Sequence, residues 1–403
     1  MPDTLHPSRP DGRPVLLFYC QHSLGIGHLT RSFALVRALC EGFRVVFLNG
    51  GPIPPGVPIP AGMTKIDLPA LGMDDGHNLV SRGGSHSVED ARETRRRMIL
   101  AAVAEHRPRL LLVELFPFGR KKFAFEILPM IRAARRQEKP ARVVCSVRDI
   151  LVDARRDQQR HDDRARWLAN RYFDAIVVHS DPAFARIDES FRPSKPLTTR
   201  LDYTGYVVPR RDHTDSDAGG DAILVSAGGG IVGYPLFAAA LAAHGRLWPR
   251  RRLPLRIIAG PFLPEAEWQT LCQGVGDHPG VTLVRHVPDM VAEMRRARLS
   301  ISQCGYNTAL DVVVSGVSAL LVPYAAKGEN EQSRRAAALA DLGAVRHFDG
   351  VLTDPAAFAA AIEGALDFCP RPAALALDGA PRTAAILRDL TVAEDPPRKL
   401  AHA

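Results

Sequence analysis

The sequence is poor in lysine, in paired cysteines and in long apolar runs, and the last two shortages each argue against a class of protein. Only seven of the 52 Lys and Arg residues are lysine. The six cysteines are scattered without a C-x-x-C pair, which argues against a zinc site or disulfide framework and fits a reducing cytoplasm. The most apolar stretch, residues 310–326, is interrupted by Asp311 and Pro323 and is shorter than the ~20 apolar residues that span a bilayer.

The net charge of +8 raises the question of nucleic-acid binding. Arginine clusters occur at residues 95–97, 155–156 and 250–252. They are not interleaved with aromatic residues, and charge runs of this kind are usually solvated faces. A non-enzymatic nucleic-acid-binding protein is therefore a distant alternative. A basic face that helps a peripheral protein reach an anionic lipid fits the charge better, although no apolar anchor lies beside it.

Short β-rich runs alternate with helical patterns, as in α/β proteins with parallel sheets. One series of predicted strands comprises residues 15–19, 45–48, 110–113, 143–146 and 175–179. A second comprises residues 223–226, 256–259, 282–284, 299–302 and 319–322. We expect two Rossmann-like domains, one at 1–210 and the other at 222–380. A polar, glycine-bearing linker (211–221) joins them, and a C-terminal helix with a disordered tail (381–403) follows.

The loop after the first predicted strand combines two glycines with a histidine at a helix start. It reads Gly25-x-Gly27-His28, and apolar residues then recur at helical spacing. Glycines let the backbone approach a ligand, and a helix N-terminus offers free N–H groups. Thr30 stands where a dinucleotide-binding loop has its third glycine, so this is not a standard dinucleotide loop.

The second glycine-rich loop follows the strand at 223–226. Gly228, Gly229 and Gly230, with Gly233, match G-x-G-x-x-G between a strand and a helix. The next strand ends in Gly-Pro and carries no acid to hold an adenosine ribose, and no G-K-[ST] follows. The pattern favours a pyrophosphate ligand and does not favour NAD.

A third group of polar residues begins where the strand at 299–302 turns at Gly305 into a helix. Thr308 and Asp311 lie one helical turn apart, where a carboxylate can accept hydrogen bonds from a ribose. After the next strand, a loop ending in Glu331 and Gln332 suits the hydroxyls of a sugar.

This run resembles the donor-binding region of glycosyltransferase family 28, which includes the cell-wall enzyme that adds N-acetylglucosamine to make lipid II. The residues that carry the resemblance are Gly305, Thr308, Asp311, Gly316, Pro323, Glu331 and Gln332. Gly25-x-Gly27-His28 resembles the family's N-terminal acceptor-side loop. The sequence departs from the family at Asp311, where Glu is usual, and at Ser318, where Pro is typical.

The resemblance implies a GT-B fold and transfer of a sugar from a nucleotide-diphosphate donor, UDP by default, without a cofactor. It places the donor base near residues 285–288, which include His286 and Val287, with Asn307 in the same donor site. The resemblance also implies an acceptor-binding domain at 1–210 and a nucleotide-sugar-binding domain at 222–380, and we expect the acceptor to be a small molecule or a lipid-linked compound. The irregular segment 68–90 is expected to contribute to the acceptor pocket or to a lid.

Three residues are candidates for the general base: His28 first, then Glu114 and Asp149, each after a predicted strand. The D-x-D sequence of metal-dependent transferases occurs only in the linker, so we expect a metal-independent reaction. No Glu-x7-Glu pair exists, which favours inversion over retention. A nucleotide-sugar hydrolase or an epimerase of the same fold remains the alternative.

Overall fold

The computed structural model describes residues 12–22, 27–54, 57–74, 78–82, 87–152, 155–209, 220–276, 278–325 and 330–393. Its strands are β1 (Val15–Cys20), β2 (Arg44–Asn49), β3 (Met63–Asp67), β4 (Leu71–Met73), β5 (Leu79–Ser81), β6 (Leu110–Glu114), β7 (Arg142–Arg148), β8 (Ala175–His179), β9 (Arg200–Tyr203), β10 (Ala222–Ser226), β11 (Leu255–Ile258), β12 (Val281–Val284), β13 (Ala297–Ser302), β14 (Ala319–Leu321) and β15 (Arg346–His347). Its α-helices are α1 (Gly27–Leu39), α2 (Val88–His106), α3 (Ala124–Arg135), α4 (Gln158–Tyr172), α5 (Tyr234–Arg251), α6 (Glu265–Val275), α7 (Met290–Arg295), α8 (Tyr306–Ser315), α9 (Glu331–Asp341), α10 (Pro355–Leu366) and α11 (Gly379–Val392).

Apart from the antiparallel pair β4 and β5, the described strands form one parallel sheet in each half of the chain. The first has the order β3-β2-β1-β6-β7-β8-β9 and the second the order β12-β11-β10-β13-β14-β15. Helices cover both faces of each sheet, and the central strands are fully buried runs of apolar residues, as parallel sheets require. The predicted α/β class with two Rossmann-like halves is confirmed.

Each predicted strand is present, with ends that differ by at most two residues. The sequence patterns missed the edge strands β3, β9 and β15. They also missed the β4–β5 hairpin within the segment at 68–90. These three strands carry polar residues and are exposed or only partly buried, so they lack the apolar signal that identifies the central strands.

The last described helix, α11, returns to the N-terminal half. Its apolar residues Ala380, Ala384, Leu387 and Leu390 belong to the same core as α1 and the face of β1 and β2. The predicted tail beyond it, and nearly all of the predicted linker, lie outside the described residues. Among the helices that the structure describes, none has the length and apolar content to cross a membrane.

Each sheet has a switch point, where neighbouring strands continue into connections that run in opposite directions. These points lie between β1 and β6 in the first sheet and between β10 and β13 in the second. Ligands of open α/β sheets bind outside the carboxyl ends of the strands at such points. The candidate residues lie at or after the carboxyl ends of β1, β6, β7, β10, β12, β13 and β14, or in the first turns of the helices that follow them.

Candidate active site between the two halves

A cavity of about 620 Å³ is lined by residues of both halves. From the first half its wall includes Gly27, His28 and Arg148. From the second half the predicted residues in its wall are Gly228, Gly229, Gly230, His286, Val287, Gly305, Asn307, Thr308, Asp311, Glu331 and Gln332. The structure therefore brings together residues that sequence analysis placed on five separate segments of the chain.

The loop after β10 needs its glycines for conformational reasons. Gly228 and Gly230 have φ values of 56° and 90°, in the left-handed region that side chains disfavour. A Cβ on Gly230 would stand 2.1 Å from the carbonyl oxygen of Ala259. The loop thus packs tightly against the end of β11 and leads into α5, whose N-terminal N–H groups suit an anion.

Ser226 adds a hydroxyl that sequence analysis did not single out. It is the last residue of β10, it lines the cavity and it is almost completely buried. Its Oγ has no hydrogen-bond partner in the described part of the chain. A buried hydroxyl without a partner is costly, so this atom is suited to a ligand oxygen beneath the glycine loop.

Gly305, at the start of α8, differs from the glycines of the loop after β10. Its φ of −63° is accessible to any residue, and a Cβ there would meet no protein atom within 4 Å. The fold therefore does not require glycine at this position, whereas the cavity that Gly305 lines would lose space to a side chain. Thr308 and Asp311 follow on the cavity side of the same helix.

Two of the predicted donor residues also support the protein itself. Asn307 Nδ2 donates to the carbonyl oxygen of Gly27 at 3.2 Å, which joins α8 to the start of α1 across the cleft. Gln332 Oε1 accepts hydrogen bonds from the backbone N–H groups of Cys304 (2.9 Å) and Tyr324 (3.1 Å). Because its oxygen is engaged in this way, Gln332 has its amide N–H groups left to donate to a ligand in the cavity.

His28 stands at the start of α1 and is fixed by a buried carboxylate. Its Nδ1 lies 2.8 Å from Oε1 of Glu114, and Glu114 is completely buried at the end of β6. Arg31, one turn along α1, contacts the same Glu114 oxygen and lies 5.2 Å from the ring centroid of Tyr306 on α8. With Nδ1 donating to the carboxylate, Nε2 is the ring nitrogen left to accept a proton.

The electrostatics of this group favour a neutral imidazole beside an ionised carboxylate. Burial lowers the pKa of His28 to about 4, although Glu114 opposes the shift. Burial alone would raise the pKa of Glu114, but the contacts with His28 and Arg31 outweigh it and hold that pKa at about 2. At neutral pH the histidine is therefore a base that a fixed negative charge orients.

The other two candidate bases do not line the cavity. Glu114 lies beneath His28, and so it acts on the histidine and has no direct access to a substrate. Asp149 is also completely buried, and both of its oxygens accept hydrogen bonds from Arg335 of α9. The expectation that Asp149 follows a strand is correct, but its carboxylate is engaged in an ion pair and is not presented to a substrate.

Part of the predicted site lies outside the described residues, namely Gly25 and residues 326–329. None of the described residues between 68 and 90 lines the cavity. Sequence analysis missed Arg31, Arg148 and Ser226. Arg31 had a signal, since it lies three residues after His28 on the same helix, whereas the other two became recognisable only through the cavity.

Residues 227–373 match the family model of the glycosyltransferase family 28 C-terminal domain. A relative from Mesorhizobium japonicum, UDP-N-acetylglucosamine–N-acetylmuramyl-(pentapeptide) pyrophosphoryl-undecaprenol N-acetylglucosamine transferase, is 39% identical over 109 residues. That alignment spans 26% of this chain and 29% of the relative.

Similarity to solved structures extends over nearly the whole chain. MurG of Acinetobacter baumannii has a TM-score of 0.55 at 15% identity, over 94% of this chain and 99% of that one. A putative UDP-N-acetylglucosamine 2-epimerase from Listeria monocytogenes has a TM-score of 0.57 at 14% identity, over 96% and 99% of the two chains. At these identities the likeness establishes the GT-B fold alone.

Proposed function

We propose that this chain, whose C-terminal half carries a glycosyltransferase family 28 domain, transfers a sugar from a nucleoside-diphosphate donor to an acceptor hydroxyl. The observation that carries the proposal is a single cavity with two chemically different walls. One wall holds the oriented base His28, and the other holds the glycine loop at 228–230 and Asp311. A transferase needs a general base for the acceptor hydroxyl and, opposite it, groups that bind and stabilise the diphosphate leaving group.

In the proposed reaction the acceptor hydroxyl gives its proton to Nε2 of His28 while its oxygen bonds to the anomeric carbon of the donor sugar. The bond from that carbon to the diphosphate oxygen breaks, and the nucleoside diphosphate leaves with the electron pair. Glu114 stabilises the imidazolium that forms. Because the displacement is direct, we propose inversion at the anomeric carbon.

We propose that the backbone N–H groups after β10 and the N-terminus of α5 stabilise the negative charge that develops on the leaving diphosphate. We therefore propose turnover without added divalent metal. We propose that Asp311 binds the ribose. Gln332 and the neighbouring ion pair of Glu331 with Arg148 bind the sugar.

A UDP-sugar is the proposed donor, because the family 28 relative from Mesorhizobium is named for one. The same name includes a lipid-linked acceptor, so a lipid-linked or small-molecule hydroxyl is the proposed acceptor class. We also propose a cytoplasmic location. Cys272 and Cys369 are free thiols on the surface, which fits a reducing compartment.

The test is a mass-spectrometric donor screen with UDP-, dTDP-, GDP- and ADP-sugars in the presence of EDTA, with and without pooled cell-extract acceptors. The proposal expects acceptor-dependent release of nucleoside diphosphate that is lost in Asp311→Ala and retained in Asp341→Ala. Asp341 is the matched control, since it is an exposed acid at the end of α9. Turnover of the sugar without acceptor would favour a hydrolase or an epimerase, and failure to bind any nucleotide would overturn the proposal.

A further inference from the structure

Two consecutive residues at the end of β7 form ion pairs with two residues on α9 of the other half. Arg148 pairs with Glu331, and Asp149 pairs with Arg335, which lies one helical turn further along α9. The charges alternate on both sides, so each side presents one acid and one base to its counterpart. This register permits one alignment of α9 on the end of β7, because a shift by one turn would bring like charges together.

The Asp149–Arg335 pair is the more deeply buried of the two. Arg335 Nε and Nη2 donate to the two carboxylate oxygens at 2.9 and 2.8 Å, and both side chains are at most 2% exposed. Burial opposes ionisation, but Arg335 outweighs it and lowers the pKa of Asp149. The bidentate geometry fixes orientation as well as distance.

Arg335 also extends the contact to the donor side of the cavity. Its Nη1 donates to the carbonyl oxygen of Cys304 at 2.8 Å, while Gln332 accepts from the N–H of the same residue. Cys304 directly precedes Gly305 and the start of α8. The end of β7 is therefore connected through α9 to the turn that presents Thr308 and Asp311.

We propose that Asp149 and Arg335 are positioning residues that hold the donor side at a fixed spacing from His28. The pair touches neither donor nor acceptor. Arg148 and Glu331, at the cavity wall, are the members that a bound sugar reaches. The proposed consequence for catalysis rests on the proposed function, whereas the fixed spacing between the halves does not.

The spacing is tested by the distance between spin labels on the two halves. One label is attached to Cys272 on α6, which is exposed, and the other to a cysteine introduced by Glu105→Cys on α2, where the side chain is 74% exposed. Cys40 and Cys369 are replaced by serine in this background. Pulsed electron resonance should give a single narrow distribution, and Asp149→Asn should at least double its width.

The matched control is Glu189→Gln, which weakens an exposed ion pair between the halves, 3.5 Å from Arg334. Exposed pairs contribute little, so this variant should keep the narrow distribution. If Asp149→Asn does not fold, Arg335→Lys takes its place, because lysine keeps the charge and loses the bidentate geometry. An unchanged distribution in a folded Asp149→Asn or Arg335→Lys protein would overturn the proposal.

The activity measurement separates positioning from binding. Asp149→Asn should lower kcat at least tenfold while the Kd for UDP, measured by calorimetry, stays within twofold. Arg335→Lys should give an intermediate kcat. Equal losses in kcat and UDP affinity would refute the positioning role. If the unaltered protein shows no transfer at all, the proposed function fails, and the label distances still decide whether the pair fixes the spacing.

Discussion

Replacing Glu114 by Gln removes the charge that orients His28 while keeping nearly the same shape. In the proposed reaction His28 becomes an imidazolium as the acceptor loses its proton. Glu114 lies 2.8 Å from the ring, so the unaltered protein has a fixed negative charge beside the positive charge that forms. The variant has an amide there, and Arg31 is left as an uncompensated positive charge next to the base.

The size of the effect follows from Coulomb's law. Opposite unit charges at the measured separation attract by about 6 kcal/mol at an effective dielectric constant of ~20. Arg31 shares the carboxylate and His28 is partly exposed, so we take about 3–5 kcal/mol as the loss of transition-state stabilisation. That corresponds to a decrease in kcat/KM of roughly 10²- to 10⁴-fold.

The assay is the pH dependence of kcat/KM with the donor and acceptor that the screen identifies. In the unaltered protein the rate should fall as the pH drops through about 4, where His28 takes up its proton. Glu114 raises the pKa of His28, so Glu114→Gln should move this limb to lower pH while the plateau falls. Asp174→Asn is the control, because Asp174 is another nearly buried carboxylate of the same half and forms an ion pair with Arg135. An unchanged plateau in folded Glu114→Gln would refute the role of the pair.

Three further predictions concern the cavity and its histidine. Gly305→Ala should weaken UDP binding at least tenfold without lowering the melting temperature. Gly364→Ala is the control, because a Cβ at this position of α10 also meets open space, and it should leave binding unchanged. Calorimetry measures the binding and thermal melts measure the stability of both variants. Ser226→Ala should weaken UDP binding several-fold, whereas Ser300→Ala should not, because Ser300 has a buried hydroxyl that also lacks a partner among the described residues but lies outside the cavity. Equal affinities of the two variants would contradict the role of Ser226. The pKa of His28 is lowered from 6.5 to about 4 by burial, so the unfolded chain binds its proton first and stability falls as pH drops from about 6.5 to 4. His28→Asn should reduce that slope in urea melts at successive pH values, and an identical slope would contradict the shift.

The fold was predictable where burial leaves a continuous apolar run. β1, β6 and β8 are buried along their whole length, and their sequences are nearly pure runs of apolar residues. β3 and β9 are edge strands with charged residues. They are held in the strand conformation by hydrogen bonds to one neighbouring strand, and their sequences carry no apolar pattern that would predict this.

The site was predictable at the ends of strands, because parallel topology brings those ends together whatever the long-range contacts are. His28 and Asp311 were found in this way and both line the cavity. The partner of Asp149 was not predictable, since Arg335 lies 186 residues further along the chain. A carboxylate after a strand has the same local sequence signal whether it faces a substrate or an arginine.

The return of α11 to the first sheet has a consequence for the order of events during synthesis. The ribosome releases the residues of β1 and α1 long before those of α11, so the apolar face that α11 covers on α1 stays open until the second half has emerged. The N-terminal half is therefore synthesised first, but its core is completed only when α11 has been synthesised. A nascent chain paused before residue 379 should expose this face to chaperones. Truncation before residue 379 should lower the solubility of the protein more than it disturbs the geometry of the catalytic site.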